Sequence, residues 1–399
     1  MPIKYDAIIS GLGPAGSAAA YELASKGLKV LAIDKAKFPR YKACGGSVSK
    51  KVDKILKFDF SDVVEDTTNG AVFSYKSKRH LFVQHDSPIA SMVMRDRFDN
   101  LLVNMAKKAG ADIIDNTKIM GVKDDVQNIV VETEKGSFQA RVLIAADGAS
   151  SSIAREFFDI DSKACSVTIE SEVTAPKERL EQIKGRLMID FGNIPYGYAW
   201  IFPKKDCFSV GIAGVNSKLS KGIKEYFAEF VRTQDMLKGL EIKNQRGWTI
   251  PEFFGNKKRI SNKRILLVGD AAHLADPFIG EGIYYAIRSG QIAADAVING
   301  IYNDDFRAYE ADIEKEIYPE LTAAQKLADM VYLHPKAWYS MLESEPLLIK
   351  RYYDVVIGKS NYKEFVREIM ENSRIKVLCM IIKGWLKGSL SNCKLKIGN

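Results

Sequence analysis

Apolar and polar positions change period several times along the chain, and each change predicts an element. Tyr5 to Ser10 is an apolar run of strand type, closed by Gly11-Leu12-Gly13-Pro14-Ala15-Gly16. A helical stretch containing Ala20 and Gly27 follows, then a second short apolar run ending at Asp34. The predicted order is strand, glycine turn, helix, strand, acid. Lys35 to Gly46 reads as a loop carrying Phe38-Pro39-Arg40-Tyr41 and Cys44-Gly45-Gly46, with a helix starting near Ser47. Ala71 to Val83 is a predicted hairpin, because β-rich runs flank the polar Lys76-Ser77-Lys78-Arg79. Ser91 to Met94 predicts a short strand, and Arg95 to Gly110 a helix with Phe98, Leu101, Leu102 and Met105 at helical spacing. Short strands with charged turns fill Asp112 to Gln139, and Arg141 to Ala146 is a buried strand. Ala164 to Val215 is strand-rich and aromatic, which predicts an antiparallel sheet inserted between parts of the first unit. Lys221 to Gln234 is an amphipathic helix, and Arg264 to Val268 returns to a buried strand. A long helix runs from about Gly282 to Ile298, and the remainder is mostly helical.

Composition narrows the class. At 399 residues, 46% of them hydrophobic and 27% charged, the chain is an ordinary globule with room for two domains. It has no apolar run of about 18 residues and no basic–apolar leader at the N-terminus, so neither a membrane span nor a signal peptide is expected. Cys44, Cys165, Cys207, Cys379 and Cys393 are scattered without Cys-x-x-Cys spacing, and there are only four histidines. No metal site or disulfide framework is expected, which fits a cytoplasmic protein. The net charge of +8 is unevenly spread. From Ser373 onward Arg374, Lys376, Lys383, Lys387, Lys394 and Lys396 face no acidic residue. On a helical wheel Ile375, Leu378, Cys379, Ile382, Trp385 and Leu386 share one side, and Lys376, Lys383 and Lys387 the other. Such a helix suits either a peripheral membrane contact or docking on the protein's own core. No nucleic-acid motif accompanies the charge, so no nucleic-acid partner is expected.

The glycine turn carries the first chemistry. Gly11 permits the tight turn, Gly13 lets backbone approach a pyrophosphate, and Gly16 lets the helix pack on the sheet. The helix N-terminus offers N–H groups to phosphates, and Asp34 is placed for ribose hydroxyls. These features predict an adenine dinucleotide without choosing between FAD and NAD(P).

Motifs further along choose. Ile265 to His273 is a buried strand running into Gly269-Asp270 at a helix start, and Pro277-Phe278-Ile279-Gly280-Glu281-Gly282 follows. Ala146-Asp147-Gly148-Ala149 precedes Ser151 and Arg155, and Arg95 opens its helix. Together these resemble the FAD motifs of the p-hydroxybenzoate hydroxylase-like flavoproteins. Pro195 to Pro203 resembles the Pro-x-x-Tyr-x-Trp-x-Phe-Pro signature of the geranylgeranyl reductase family, and Lys42-Ala43-Cys44-Gly45-Gly46 is similar to that family's cysteine–glycine loop. The resemblance runs from Ile3 to about Gln291. One departure is Gly211-Ile212-Ala213, where the family usually has Gly-x-Gly.

The resemblance implies an α/β fold. A Rossmann-like FAD-binding domain of the p-hydroxybenzoate hydroxylase (GR2) type would comprise 1–70, 91–163 and 255–300. An inserted antiparallel β-sheet substrate domain would comprise 71–90 and 164–254, and a helical C-terminal region 301–399. It implies FAD contacts from Gly11, Gly13, Pro14, Ala15, Gly16, Asp34, Lys35, Cys44, Arg95, Asp147, Gly148, Gly269, Asp270, Gly280, Gly282 and Ile283. It implies substrate contacts from Tyr198, Trp200, Phe202, Pro203 and Gly211. The implied activity is saturation of isolated C=C bonds in prenyl lipids by hydride from the flavin N5, with a proton on the other carbon. Thiols, with an ordinary pKa of about 8.5, are mostly protonated at neutral pH, so Cys44 is the candidate donor, framed by Gly45 and Gly46. The expected electron donor is NAD(P)H or a ferredoxin- or flavodoxin-like carrier, since no second dinucleotide fingerprint is present. The alternative on the same scaffold is an FAD-dependent monooxygenase or halogenase. Read from spacing alone, Tyr198, Trp200 and Phe202 share one face of a strand, as sheet core or as the lining of an apolar slot.

Overall fold

The structure, a computed structural model, describes residues 4–125, 128–160, 165–253, 255 and 257–371. The basic stretch after Ser373 lies outside them. Among the described residues no helix is long and apolar enough to cross a membrane.

Three sheets organise the molecule. The first has the order Asp112–Ile114, Val30–Ile33, Lys4–Ser10, Gly136–Ala145, all parallel. The strand Gly136–Ala145 is long enough to serve two partners. Its first half pairs antiparallel with Ile129–Thr133, and its last residues pair in parallel with Ile265–Leu267. The inner stretches 7–9, 30–33 and 142–145 are continuously apolar and buried, as strands of a covered parallel sheet are. Pro14–Ser25 packs against Ile283–Gly300, and both help close this core.

The second sheet runs Arg246–Ile250, Ser166–Thr174, Cys207–Val215, Gly197–Pro203, Arg186–Phe191, Gly70–Tyr75, Lys78–Gln84. The expected antiparallel pairing holds except between Arg186–Phe191 and Gly70–Tyr75, which are parallel. These two segments are distant in the chain, so no hairpin turn dictates their direction. Strand alternation divides the sheet's side chains. Ala199 and Ile201 point to a core with Phe208, Phe227 and Phe230, under the helix Ile223–Thr233. Trp200 and Phe202 point the other way, into a core shared with Tyr198 and with the helices Tyr318–Leu333, Pro335–Ser344, Leu347–Val356 and Tyr362–Glu371.

Two local expectations are corrected. Ser47 begins not a helix but the strand Ser47–Ser49, which pairs with Ala90–Val93 in the small third sheet. Val48 is wholly buried between polar serines, a strand-type alternation too short to separate from a helix start. Gly269-Asp270 opens a single 3-10 turn, Gly269–Ala272, and the α-helix begins only at Ile283. His273, in the left-handed region, ends that turn.

Candidate active site

The first strand leaves its sheet at Gly11, whose φ of +97° is left-handed. A Cβ there would stand 2.3 Å from the Ala146 carbonyl oxygen, so the glycine permits both the turn and the contact. Pro14 takes the first helical position, and no side chain caps the helix, so its N–H groups stay available. Asp34 braces the turn: one carboxylate oxygen accepts the Leu12 N–H at 2.7 Å and the other the Ala36 N–H at 2.8 Å. Gly13 faces Arg40, whose Nη2 pairs with Asp99 at 3.1 Å. Two buried polar atoms here have no hydrogen-bond partner among the described residues, Nη1 of Arg40 and Oδ1 of Asp147. Burial also pushes the Asp147 carboxyl up, against hydrogen bonds from Ser151 and nearby backbone. A cation beside the glycine turn and an acceptor at the end of the next strand fit a ligand with phosphates and hydroxyls.

These groups line one cavity of about 940 Å³. Gly11, Gly13, Pro14, Ala15, Asp34, Lys35, Arg95, Asp147 and Gly148 border it, as do Asp270, Gly280, Gly282 and Ile283. Gly16, Gly269, Pro203 and Gly211 do not; Gly16 packs on the Gly11 carbonyl, Gly269 on Ala15 and Ala286, and Gly211 on Trp200. Asp270 is buried, which raises its pKa against the pull of Lys42 and Arg95. Burial and the neighbouring Arg95 bring Lys42 down to about 8, and its ammonium lies 3.9 Å from the Trp248 ring centre. The backbone at Pro277 to Gly282 is clamped by tyrosines. Tyr198 donates to the Ile279 carbonyl at 2.6 Å, Tyr332 to that of Phe278, and Tyr362 to the Asp276 carboxylate at 2.5 Å.

Cys44-Gly45-Gly46 and the aromatic strand meet in this cavity. Gly45 lies flat against the rings: a Cβ there would be 3.0 Å from Phe202 and 3.2 Å from the Trp200 nitrogen. Tyr198, Trp200 and Phe202 form a row with centroids 5.9 and 6.1 Å apart. Gly211 lets Trp200 lie across it, since a Cβ would fall 2.1 Å from the indole. The half-buried Cys44 sulfur accepts the Gly46 N–H at 3.3 Å and is reached by the Arg95 guanidinium. Arg95 is held by both oxygens of Asp99, at 2.8 and 2.9 Å. Behind the loop, Glu170 accepts the Cys44 N–H at 3.0 Å, the Tyr41 hydroxyl at 2.6 Å and the Ser209 hydroxyl at 3.2 Å. Ser209 in turn accepts the Trp200 indole N–H at 3.2 Å.

Beyond the aromatic row the lining turns apolar. Phe73, Leu187, Ile189 and Phe191 supply the sheet side; Leu327, Trp338, Leu342, Leu348 and Ile349 supply the helical side. Long hydrocarbon fits such a lining, and little in it can hydrogen-bond water.

The FAD binding domain family model matches residues 4–179. A digeranylgeranylglycerophospholipid reductase of Methanocaldococcus jannaschii is 32% identical over 317 residues, covering 76% of this chain and 79% of the relative. The chain belongs to the geranylgeranyl reductase family. It is an FAD-dependent oxidoreductase, and FAD is its cofactor. Among solved structures, a geranylgeranyl bacteriochlorophyll reductase-like protein of Thermoplasma acidophilum superposes with a TM-score of 0.75 at 24% identity. It covers 93% of this chain and 97% of its own. A flavin-dependent brominase superposes with a TM-score of 0.73 at 21% identity, covering 93% and 100%. The fold alone is shared with these two structures, so it does not by itself choose the reaction.

Several groups of this reductase-family site carry no signal that the motifs reveal. Arg40 and Lys42 sit in a loop whose motif points to Cys44 and its glycines and assigns neither cation a role. Glu170 is a charge inside a strand whose partners Tyr41, Cys44 and Ser209 lie far away in sequence. The helical lining from Leu327 to Ile349 carries no motif at all.

Proposed function

We propose that this enzyme saturates isolated C=C bonds of geranylgeranyl chains, on a membrane lipid or a prenyl precursor. The observation that carries the reading is the packing of Gly45 on Phe202 and Trp200, inside a cavity that joins the nucleotide turn to an apolar arm. Gly11, Gly13, Pro14, Ala15 and Arg40 would hold the FAD pyrophosphate, and Asp34 and Lys35 the adenosine ribose. Asp147, Gly148 and Asp270 would hold its remaining hydroxyls. Gly280, Gly282 and Ile283, at an uncapped helix start, would face the ring. Bound and reduced, FAD supplies the hydride equivalent, so the protein must supply the proton and a dry place for the bond.

Cys44 is proposed to give that proton from its sulfur to the second alkene carbon. The Gly46 N–H and the Arg95 guanidinium then stabilise the thiolate left behind. Tyr198, Trp200 and Phe202 hold the bond against the loop, and the apolar arm takes the rest of the chain. Electrons come from NAD(P)H or a ferredoxin- or flavodoxin-like carrier, and the enzyme works in the cytoplasm with peripheral access to lipid. Turnover of a geranylgeranyl lipid by FAD-loaded Cys44→Ala and Cys44→Ser tests the assignment. A loss of roughly 100-fold or more in Cys44→Ala supports a proton donor; unchanged turnover removes Cys44 from the chemistry.

A further inference from the structure

One buried carboxylate joins the two parts of the reaction site that come from distant segments. Glu170, in the middle of the strand Ser166–Thr174, is 1% exposed. One of its oxygens takes the Cys44 N–H at 3.0 Å and the Tyr41 hydroxyl at 2.6 Å, so it grips the loop twice. The other takes Ser209, which holds the Trp200 indole. Burial raises the Glu170 pKa, while Tyr41, Cys44 and Ser209 all favour the ionised form. The loop has no slack to give: Gly45 already touches Phe202, and Lys204 on the far side donates to the Val93 carbonyl at 2.5 Å. A shift at Cys44 would therefore be transmitted to Trp200, and the reverse.

We propose that Glu170 is a positioning residue that sets the Cys44 backbone and the Trp200 ring in one register, so that thiol and aromatic row address the same point of the cavity. Its consequence for turnover rests on the prenyl-reductase reading; its consequence for the thiol does not.

The test uses the full-length, FAD-loaded protein with Glu170→Ala and Glu170→Gln. Glutamine keeps a carbonyl oxygen for Cys44 and Tyr41; alanine keeps none. The first readout, alkylation of Cys44 by iodoacetamide followed by peptide mass spectrometry, needs no substrate. The second is kcat and KM for a geranylgeranyl lipid. In Glu170→Ala we expect alkylation faster by roughly tenfold as the loop is released, kcat lower by roughly tenfold, and KM within about threefold. Glu170→Gln should restore both to within about threefold of the parent. Alkylation and kcat unchanged in Glu170→Ala, or glutamine as damaging as alanine, overturns the proposal. If the alanine variant does not fold, Glu170→Met, which keeps the volume but no acceptor, replaces it under the same criteria. A parent enzyme that reduces no prenyl lipid refutes the functional reading, while the alkylation result still decides the role of Glu170.

Discussion

The carboxylate of Glu170 accepts a hydrogen bond from the backbone N–H of Cys44 at 3.0 Å. Through that contact a residue of the second sheet reaches the loop that follows the nucleotide-binding unit. Glu170 lies opposite Gly211 in the sheet, and Gly211 is the position across which Trp200 rests. The cysteine loop, the aromatic strand and the glycine behind it thus form one packed object.

Gly211→Ala tests that packing. The new methyl would stand 2.1 Å from the Trp200 indole, a buried ring packed between Tyr198 and Phe202, so the ring must shift within the aromatic row. We expect a stability loss of about 1–3 kcal/mol, typical of overpacking, with FAD retained and kcat reduced. Thermal unfolding with cofactor release measured in parallel checks it.

Arg40→Ala tests the nucleotide end. Its buried Nη1 has no protein partner among the described residues and lies in the wall beside Gly13. Loss of a charge-assisted hydrogen bond of about 1.5–3 kcal/mol predicts FAD affinity weaker by roughly 10- to 100-fold. Equilibrium titration of the apoprotein with FAD measures it, and wild-type affinity would remove Arg40 from cofactor binding.

The apolar arm predicts a change in substrate preference. Leu342→Trp adds bulk to the helical side of the lining, far from the glycine turn. The expected result is a raised KM for long prenyl chains, with shorter chains and FAD affinity little affected. Equal KM changes for all chain lengths would place the chain elsewhere.

Glu252 predicts a pH dependence of stability. Burial lifts its carboxyl from 4.5 to about 8, against a hydrogen bond from Ser166 at 2.6 Å and with help from Asp276. Between those values the unfolded chain has released a proton that the folded chain keeps. Stability is therefore greatest below the lower value and declines as pH rises through the upper one, by up to about 1.4 kcal/mol per unit. Asp276, raised by burial to about 6, adds to the acidic part of the decline. Above about 6 the contribution of Asp276 is already lost, while that of Glu252 keeps falling up to about 8. Denaturant unfolding from about pH 6 to about pH 8 should show a decline in stability in the parent protein that Glu252→Gln reduces.

What the sequence made legible followed local rules. The glycine turn, Asp34, the Asp147-Gly148 and Gly269-Asp270 pairs and the aromatic row are short patterns whose spacing carries a physical reason. The third sheet escaped because Ser47 to Ser49 is too short to show a period. The parallel pairing of Arg186–Phe191 with Gly70–Tyr75 escaped because it joins segments with no connecting turn. Glu170 and Arg40 escaped for a similar reason: their partners are fixed by the tertiary fold. The helical wall escaped because an apolar stripe that lines a cavity reads like one that faces a core.

The most direct test of the central claim is anaerobic. The FAD-loaded protein is reduced chemically, a geranylgeranyl lipid is added without oxygen, and flavin absorbance and lipid mass are followed together. We predict flavin reoxidation with one added H2 per saturated double bond. A flavin that stays reduced with the lipid, and is reoxidised only by oxygen with oxygen or halide entering a product, would contradict it.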